Sequence, residues 1–261
     1  MDETPLIETV KRLTAAGKGL LAMDESMPTA DRRFKALGIP QTAAMRRAYR
    51  DLIVTAPGLA ESISGAILFD ETIRTRTLAE VPFAQALEQA GIVPIVEPEV
   101  LMDGAHTMAR CAEVTERALQ FVFDELRTQR VLLEGMLLKP NMVVPGLKCP
   151  TQEPVDAVAD ATVTTFLRTV PAAVGGIMFL SGGQTAGDAS ARLSAMHRRF
   201  DPRMPWPLSF SFARAIQDPA MKAWAGKSEN VAAAQKALVE RARLNSLARR
   251  GVYTPEMEKA A

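Results

Sequence analysis

Histidine and cysteine are both scarce in this 261-residue chain, at two apiece. Cys111 and Cys149 cannot build a disulfide framework, and we read them as reduced apolar filler in a cytoplasmic protein. His106 and His197 read as surface or cap residues. No Cys or His cluster has ligand spacing, which argues against a multi-imidazole zinc site. Long apolar runs are missing too. None approaches the ~20 residues that span a bilayer, and the acidic opening Met1-Asp2-Glu3-Thr4-Pro5 lacks a signal-peptide pattern, so no membrane partner is expected. Neither charge sign is in excess. The net value is +1, and no global field draws the chain to nucleic acid, although a local basic pocket can still hold a small anion. The length fits one large domain or two small ones. With no low-complexity segment and no linker, we read residues 1–261 as one domain.

What the chain has is alternation. Short apolar runs exchange with longer stretches of 3.6-residue periodicity, the pattern of βα units. Thr4 and Pro5 open a helix carried by Leu6, Val10 and Leu13 and stopped near Gly17. Strands are expected at 19–23, 65–69, 92–96, 133–138, 176–180 and 208–210. Further helices are expected at 43–54, 78–90, 105–127, 155–170 and 230–249. Nearly every strand runs into polar residues: Asp24-Glu25-Ser26, Asp70-Glu71-Thr72, Glu97-Pro98-Glu99, Lys139-Pro140-Asn141, Ser181-Gly182-Gly183 and Ser211. In a parallel barrel those ends share one face, and that face carries the chemistry. Six units also suit an open doubly wound sheet. However, the first strand is followed by Asp24-Glu25-Ser26-Met27-Pro28, without the glycines of a dinucleotide turn, so no nucleotide cofactor is expected.

Lys139 is the sharpest chemical candidate. It ends an apolar run, where partial desolvation lowers an amine's pKa and lets the neutral form attack a carbonyl. The bland alternative is a strand-end lysine snorkelling to water, and the run alone favours it. Glu97 and Glu99 flank Pro98, and strand alternation points both to one side. Two neighbouring carboxylates separate their pKa values into an acid and a base; capping the following turn is as good a reading. Asp24 sits over the barrel mouth in this scheme, with Glu25 structural. Ser181-Gly182-Gly183 lets backbone N–H groups approach a phosphate ahead of a helix, though Ser-Gly-Gly is also a common loop. Arg214 can clamp the same phosphate. Arg32 and Arg33 can take a second one, although adjacent arginines are more often a solvated pair.

Together these motifs resemble class I fructose-bisphosphate aldolases, in order and over nearly all of residues 4–254. Gly17-Lys18-Gly19-Leu20-Leu21-Ala22-Met23-Asp24-Glu25-Ser26 is similar to their first strand. Gly65-Ala66-Ile67-Leu68-Phe69-Asp70-Glu71-Thr72 is similar to the second, and Ile92-Val93-Pro94-Ile95-Val96-Glu97-Pro98-Glu99 to the fifth. Leu133-Glu134-Gly135-Met136-Leu137-Leu138-Lys139-Pro140-Asn141-Met142 resembles the Schiff-base strand almost letter for letter. Phe179-Leu180-Ser181-Gly182-Gly183-Gln184 and Leu208-Ser209-Phe210-Ser211-Phe212-Ala213-Arg214-Ala215 resemble the seventh and eighth.

The resemblance implies a TIM (β/α)8 barrel that cleaves fructose 1,6-bisphosphate without metal or other cofactor, in the cytoplasm, as a homo-oligomer. It makes Lys139 the imine-forming lysine, Glu97 the acid/base of carbinolamine chemistry and Asp24 the base for the hydroxyl proton. Glu99 and Glu134 become supporting carboxylates. Ser181, Gly182, Ser211 and Arg214 hold one phosphate, and Ser26, Arg32 and Arg33 the other end. The chain also departs from the pattern. Between about 73 and 90 the family's third and fourth βα units are missing, leaving about six units. With them go two active-site lysines and an arginine. Ala213 replaces a glycine and Phe212 a tyrosine. A closed eight-strand barrel cannot be made from six strands. Either one crossover makes the strands at 65–69 and 92–96 neighbours, or each keeps its place beside an open slot. The rival to an enzyme is a dead descendant that binds sugar phosphates or a partner protein.

Overall fold

The computed structural model describes residues 4–67, 76–80, 93 and 95–259. Six short parallel strands form where the apolar runs lie: β1 (Gly19–Leu21), β2 (Ile63–Ala66), β3 (Ile95–Val96), β4 (Leu137–Leu138), β5 (Ile177–Phe179) and β6 (Leu208–Phe210). β3, β4, β5 and β6 make one sheet in chain order, and β1 pairs β2 in another. Each of these pairings is parallel. Parallel neighbours need a crossover, and helices supply it. The helices are α1 (Thr4–Leu13), α2 (Met27–Ala36), α3 (Ala43–Val54), α4 (Met108–Thr128), α5 (Val155–Thr169), α6 (Ala186–Phe200), α7 (Arg214–Trp224) and α8 (Val231–Arg249). β1, β4, β5 and β6 are buried along their whole length, as strands covered on both faces should be.

The two sheets meet at β1 and β6. Gly19 lets the backbones close there, because a Cβ would stand 2.6 Å from the Phe210 ring and carbonyl oxygen. Ser209 Oγ donates to the Lys18 carbonyl at 2.6 Å across the same seam. The strands therefore run β2-β1-β6-β5-β4-β3, and among the described residues no ladder joins β2 to β3. Among the described residues the neighbour arrangement is not formed. Of the helix expected at 78–90, Leu78–Glu80 are described and form a turn, with Leu78 N–H donating to Asp51 on α3 at 2.7 Å. The rest of that segment and Asp70-Glu71-Thr72 lie outside the described residues.

The strand expected from 133 starts late, because Leu133–Gly135 is a 3-10 turn. Its Gly135 packs against Leu6 of α1. An aromatic cluster ties α2, α3 and α7: Phe34 meets Tyr49 edge-on at 5.8 Å, and Tyr49 stacks on Trp224 at 5.4 Å. His197 is no surface residue. It is buried, and its ring meets the Leu208 carbonyl at 3.1 Å. Among the described residues no helix is long and apolar enough to cross a membrane.

Candidate active site

The C-terminal ends of β3 to β6 are stitched together one residue past the ladder. Lys139 N–H donates to Val96 O at 2.8 Å, Leu180 N–H to Pro140 O at 3.1 Å, and Ser211 N–H to Phe179 O at 2.8 Å. This register places the residues that follow each strand, Glu97, Lys139, Ser181 and Ser211, side by side on one end of the sheet.

Lys139 is buried. Its side chain is 6% exposed, and Nζ stands 3.0 Å from Glu97 Oε1, whose side chain is 45% exposed. The lysine thus faces a carboxylate that reaches water, an arrangement in which protons can pass between the amine and solvent. Glu99 belongs to the same group. Burial raises its pKa, and the Glu97 charge adds to that, while Arg214 and Lys139 pull it down.

The opposite wall is made of small and polar residues. Ser181 is buried. Gly182 and Gly183 adopt φ of +49° and +80°, which side-chain-bearing residues rarely do, and a Cβ on Gly182 would overlap Met102. The turn is thus pressed onto the loop that follows Glu99. That loop is tied in turn to the loop after Lys139, since Leu147 N–H donates to Met102 O at 2.8 Å. Ser211 Oγ is buried without a hydrogen-bond partner among the described residues. Arg214 is exposed and opens α7, while Thr185 caps α6 through Asp188 N–H. Both helix N-termini follow the strand ends of this wall and favour anions.

The first-strand residues are arranged differently. Asp24 is 0% exposed in its side chain, with Oδ1 2.9 Å from Arg50 Nε on α3. It packs toward α3 rather than lying open over the mouth, because a buried carboxylate needs a counterion. Arg33 bridges Glu25 and Asp218, each at 2.8 Å. Two carboxylates therefore occupy its donors, and it ties α2 to α7. Glu25 is structural, as expected. Arg32 is exposed on the same helix. Ser26 caps α2 by its carbonyl, with Oγ toward Thr29 Oγ1 at 3.2 Å. Glu134 is not a supporting carboxylate of this site: it is exposed in the 3-10 turn ahead of β4, at the opposite end of that strand from Lys139. Asn141 was missed as more than a motif letter. It is buried and hydrogen-bonds Val100 and Thr115, and its place two residues after Lys139 was the available signal.

Comparison with known proteins identifies the family. The family model for fructose-bisphosphate aldolase class-I matches residues 5–93 and 83–261. The probable fructose-bisphosphate aldolase class 1 of Xylella fastidiosa is 38% identical over 329 residues, covering 95% of this chain and 98% of that protein. Fructose-bisphosphate aldolase 5, cytosolic, of Arabidopsis thaliana is 37% identical over 329 residues, covering 95% and 91%. A solved fructose-bisphosphate aldolase of Plasmodium falciparum, in complex with TRAP and a small molecule inhibitor, superposes with a TM-score of 0.91 at 34% identity, covering 96% of this chain and 95% of that one. An alignment of 329 positions leaves at least 68 gaps in a chain of 261. The fold is the TIM-barrel type, with six strands among the described residues. Matched from its first helix to its last turn on both sides of that gap, the chain belongs to the class I fructose-bisphosphate aldolase family.

Proposed function

We propose that this chain, acting as one domain, cleaves fructose 1,6-bisphosphate through an imine on Lys139. The observation that carries the reading is the 3.0 Å contact between Lys139 Nζ, buried at a strand end, and the half-exposed Glu97. The neutral amine adds to the ketone carbon, and Glu97 protonates the departing hydroxyl, so that water leaves and an iminium remains. Asp24 takes the hydroxyl proton next to the bond that breaks only by turning from Arg50, which it faces here, toward the mouth. The electron pair of that carbon–carbon bond flows into the iminium, and glyceraldehyde 3-phosphate leaves. The enamine then regains a proton, and hydrolysis frees dihydroxyacetone phosphate and Lys139. Glu99, with its raised pKa, is a second proton source.

One phosphate sits on Ser181, Gly182, Ser211 and Arg214. The partnerless Ser211 Oγ supports this, because a buried hydroxyl left unbonded costs about 1–3 kcal/mol and a phosphate oxygen relieves that. Ser26 and exposed Arg32 hold the other phosphate; Arg33 joins them only by giving up its two carboxylates. The absent strands remove cations of the family's site. One such loss commonly costs about 2–4 kcal/mol, or about 10²–10³ in rate, and several acting as a unit do not sum. Turnover is therefore about a hundredfold or more below that of an intact relative.

A cytoplasmic location fits the cytosolic relative. Self-association fits Phe121 and Leu167, exposed on the adjacent helices α4 and α5, and sedimentation of the purified chain tests it. The chemistry is tested by trapping with borohydride and dihydroxyacetone phosphate, followed by mass analysis. An adduct on Lys139, absent from Lys139→Arg, together with slow EDTA-insensitive cleavage, is the expected result. EDTA-sensitive cleavage overturns the imine, and full-speed cleavage overturns the account of the missing strands. A chain that binds sugar phosphate but forms no adduct is the dead descendant instead.

A further inference from the structure

The Lys139–Glu97 contact joins two segments, Glu97-Pro98-Glu99-Val100 and Lys139-Pro140-Asn141, each stiffened by a proline that fixes φ. Two bonds tie them together. Below the pair, Lys139 N–H donates to Val96 O at 2.8 Å. Above it, Val100 N–H donates to Asn141 Oδ1 at 2.9 Å. The lower bond extends the sheet ladder. The upper one depends on a single side chain.

That side chain is itself held. Asn141 is 1% exposed. Its Nδ2 donates to Met142 O at 3.1 Å and Thr115 Oγ1 at 3.3 Å, with Cys111 Sγ at 3.9 Å. Thr115 and Cys111 are buried on α4, so the amide is referenced to the helix that crosses from β3 to β4. Only one amide orientation suits a backbone donor on one side and three acceptors on the other.

We infer that Asn141 is a positioning residue for the imine chemistry, setting the distance between Lys139 and Glu97 by tethering Val100; this rests on the function proposed above. A reacting group displaced by about 1 Å can cost about 10²-fold in rate, so the tether acts on the chemical step rather than on substrate binding.

The test uses the full chain and two variants. Asn141→Leu keeps the volume and deletes every bond. Asn141→Asp keeps the acceptor for Val100 N–H. Imine formation with dihydroxyacetone phosphate is followed by borohydride trapping across pH. For Asn141→Leu we expect a rate constant about 10- to 100-fold lower, an altered pH profile and an unchanged half-saturating concentration. Asn141→Asp should regain most of the rate. A folded Leu variant with parental rate and profile overturns the inference, as does an Asp variant no faster than Leu. Should the Leu variant fail to fold, Asn141→Ser is read in its place, since its hydroxyl is too short to reach Val100.

Hydrogen exchange at the Val100 amide needs no turnover. Loss of protection in the Leu or Ser variant supports the tether, and parental protection overturns it. A parental chain that traps nothing while Val100 behaves as expected strikes the proposed function and leaves the tether standing.

Discussion

Replacing Glu97 by Gln separates stability from catalysis at the same contact. The Glu97 side chain is 45% exposed, so its attraction for Lys139 is screened by water and salt, and pairs of this kind contribute about 1 kcal/mol or less. The amide oxygen of Gln still accepts from Nζ, and Glu99 keeps negative charge near the lysine. The expected stability change is therefore about 1 kcal/mol or less. The rate loss is larger. Gln cannot deliver the proton that expels hydroxide, and general acid–base catalysis contributes about 10²–10⁴-fold. Urea unfolding and borohydride trapping run side by side give both numbers. A variant that traps at the parental rate refutes the role of Glu97. A loss of about 3 kcal/mol or more refutes the view that the pair is solvent-screened, and would make Glu97 a structural counterion.

Other expectations concern the surrounding frame. Burial first, and the Arg249 charge second, push the His197 imidazole down to about 4 from 6.5. Because its folded pKa is depressed, the neutral ring's contribution is present above about pH 6.5 and is lost as pH falls toward 4, by up to about 3 kcal/mol; His197→Gln should flatten that part of a stability–pH curve. Arg50→Ala removes a buried counterion from Asp24 and should cost about 3–5 kcal/mol in urea unfolding. Arg199→Ala, whose partners Asp160 and Asp156 are half-exposed and exposed, should cost about 1 kcal/mol or less. Gly182→Ala forces a side chain into the left-handed region against Met102. It should cost about 1–2 kcal/mol in a melt and raise KM for the phosphorylated substrate, and a parental KM would argue against a phosphate at that turn.

Legibility in the sequence followed side-chain size. α3 and α5 announce themselves by large apolar residues at helical spacing, and their expected and observed bounds nearly coincide. α6 buries Ala189, Ser190, Ala191, Ser194 and Ala195, small residues that carry no hydrophobic period, and His197 was misplaced with it. α2 buries Phe34 alone. Strand ends were readable because each apolar run stops at a polar residue, which is why Glu97, Lys139, Ser181 and Ser211 could be grouped before any coordinates. What happens to Asp24 and Arg33 was not readable. Their partners Arg50 and Asp218 come from α3 and α7, and only packing decides that a mouth residue turns toward a helix.

The seam between Gly19 and Phe210 sets an order of events during synthesis. The hydrogen bond across it joins residues 191 positions apart. At about 5–20 residues per second, β1 leaves the ribosome roughly 10–40 s before β6 exists. The four later strands meet as successive neighbours and can assemble as each one emerges. During the wait β1 carries an unsatisfied edge, the kind of surface that invites wrong partners, and the glycine that makes the seam possible also leaves that edge without a side chain to guard it.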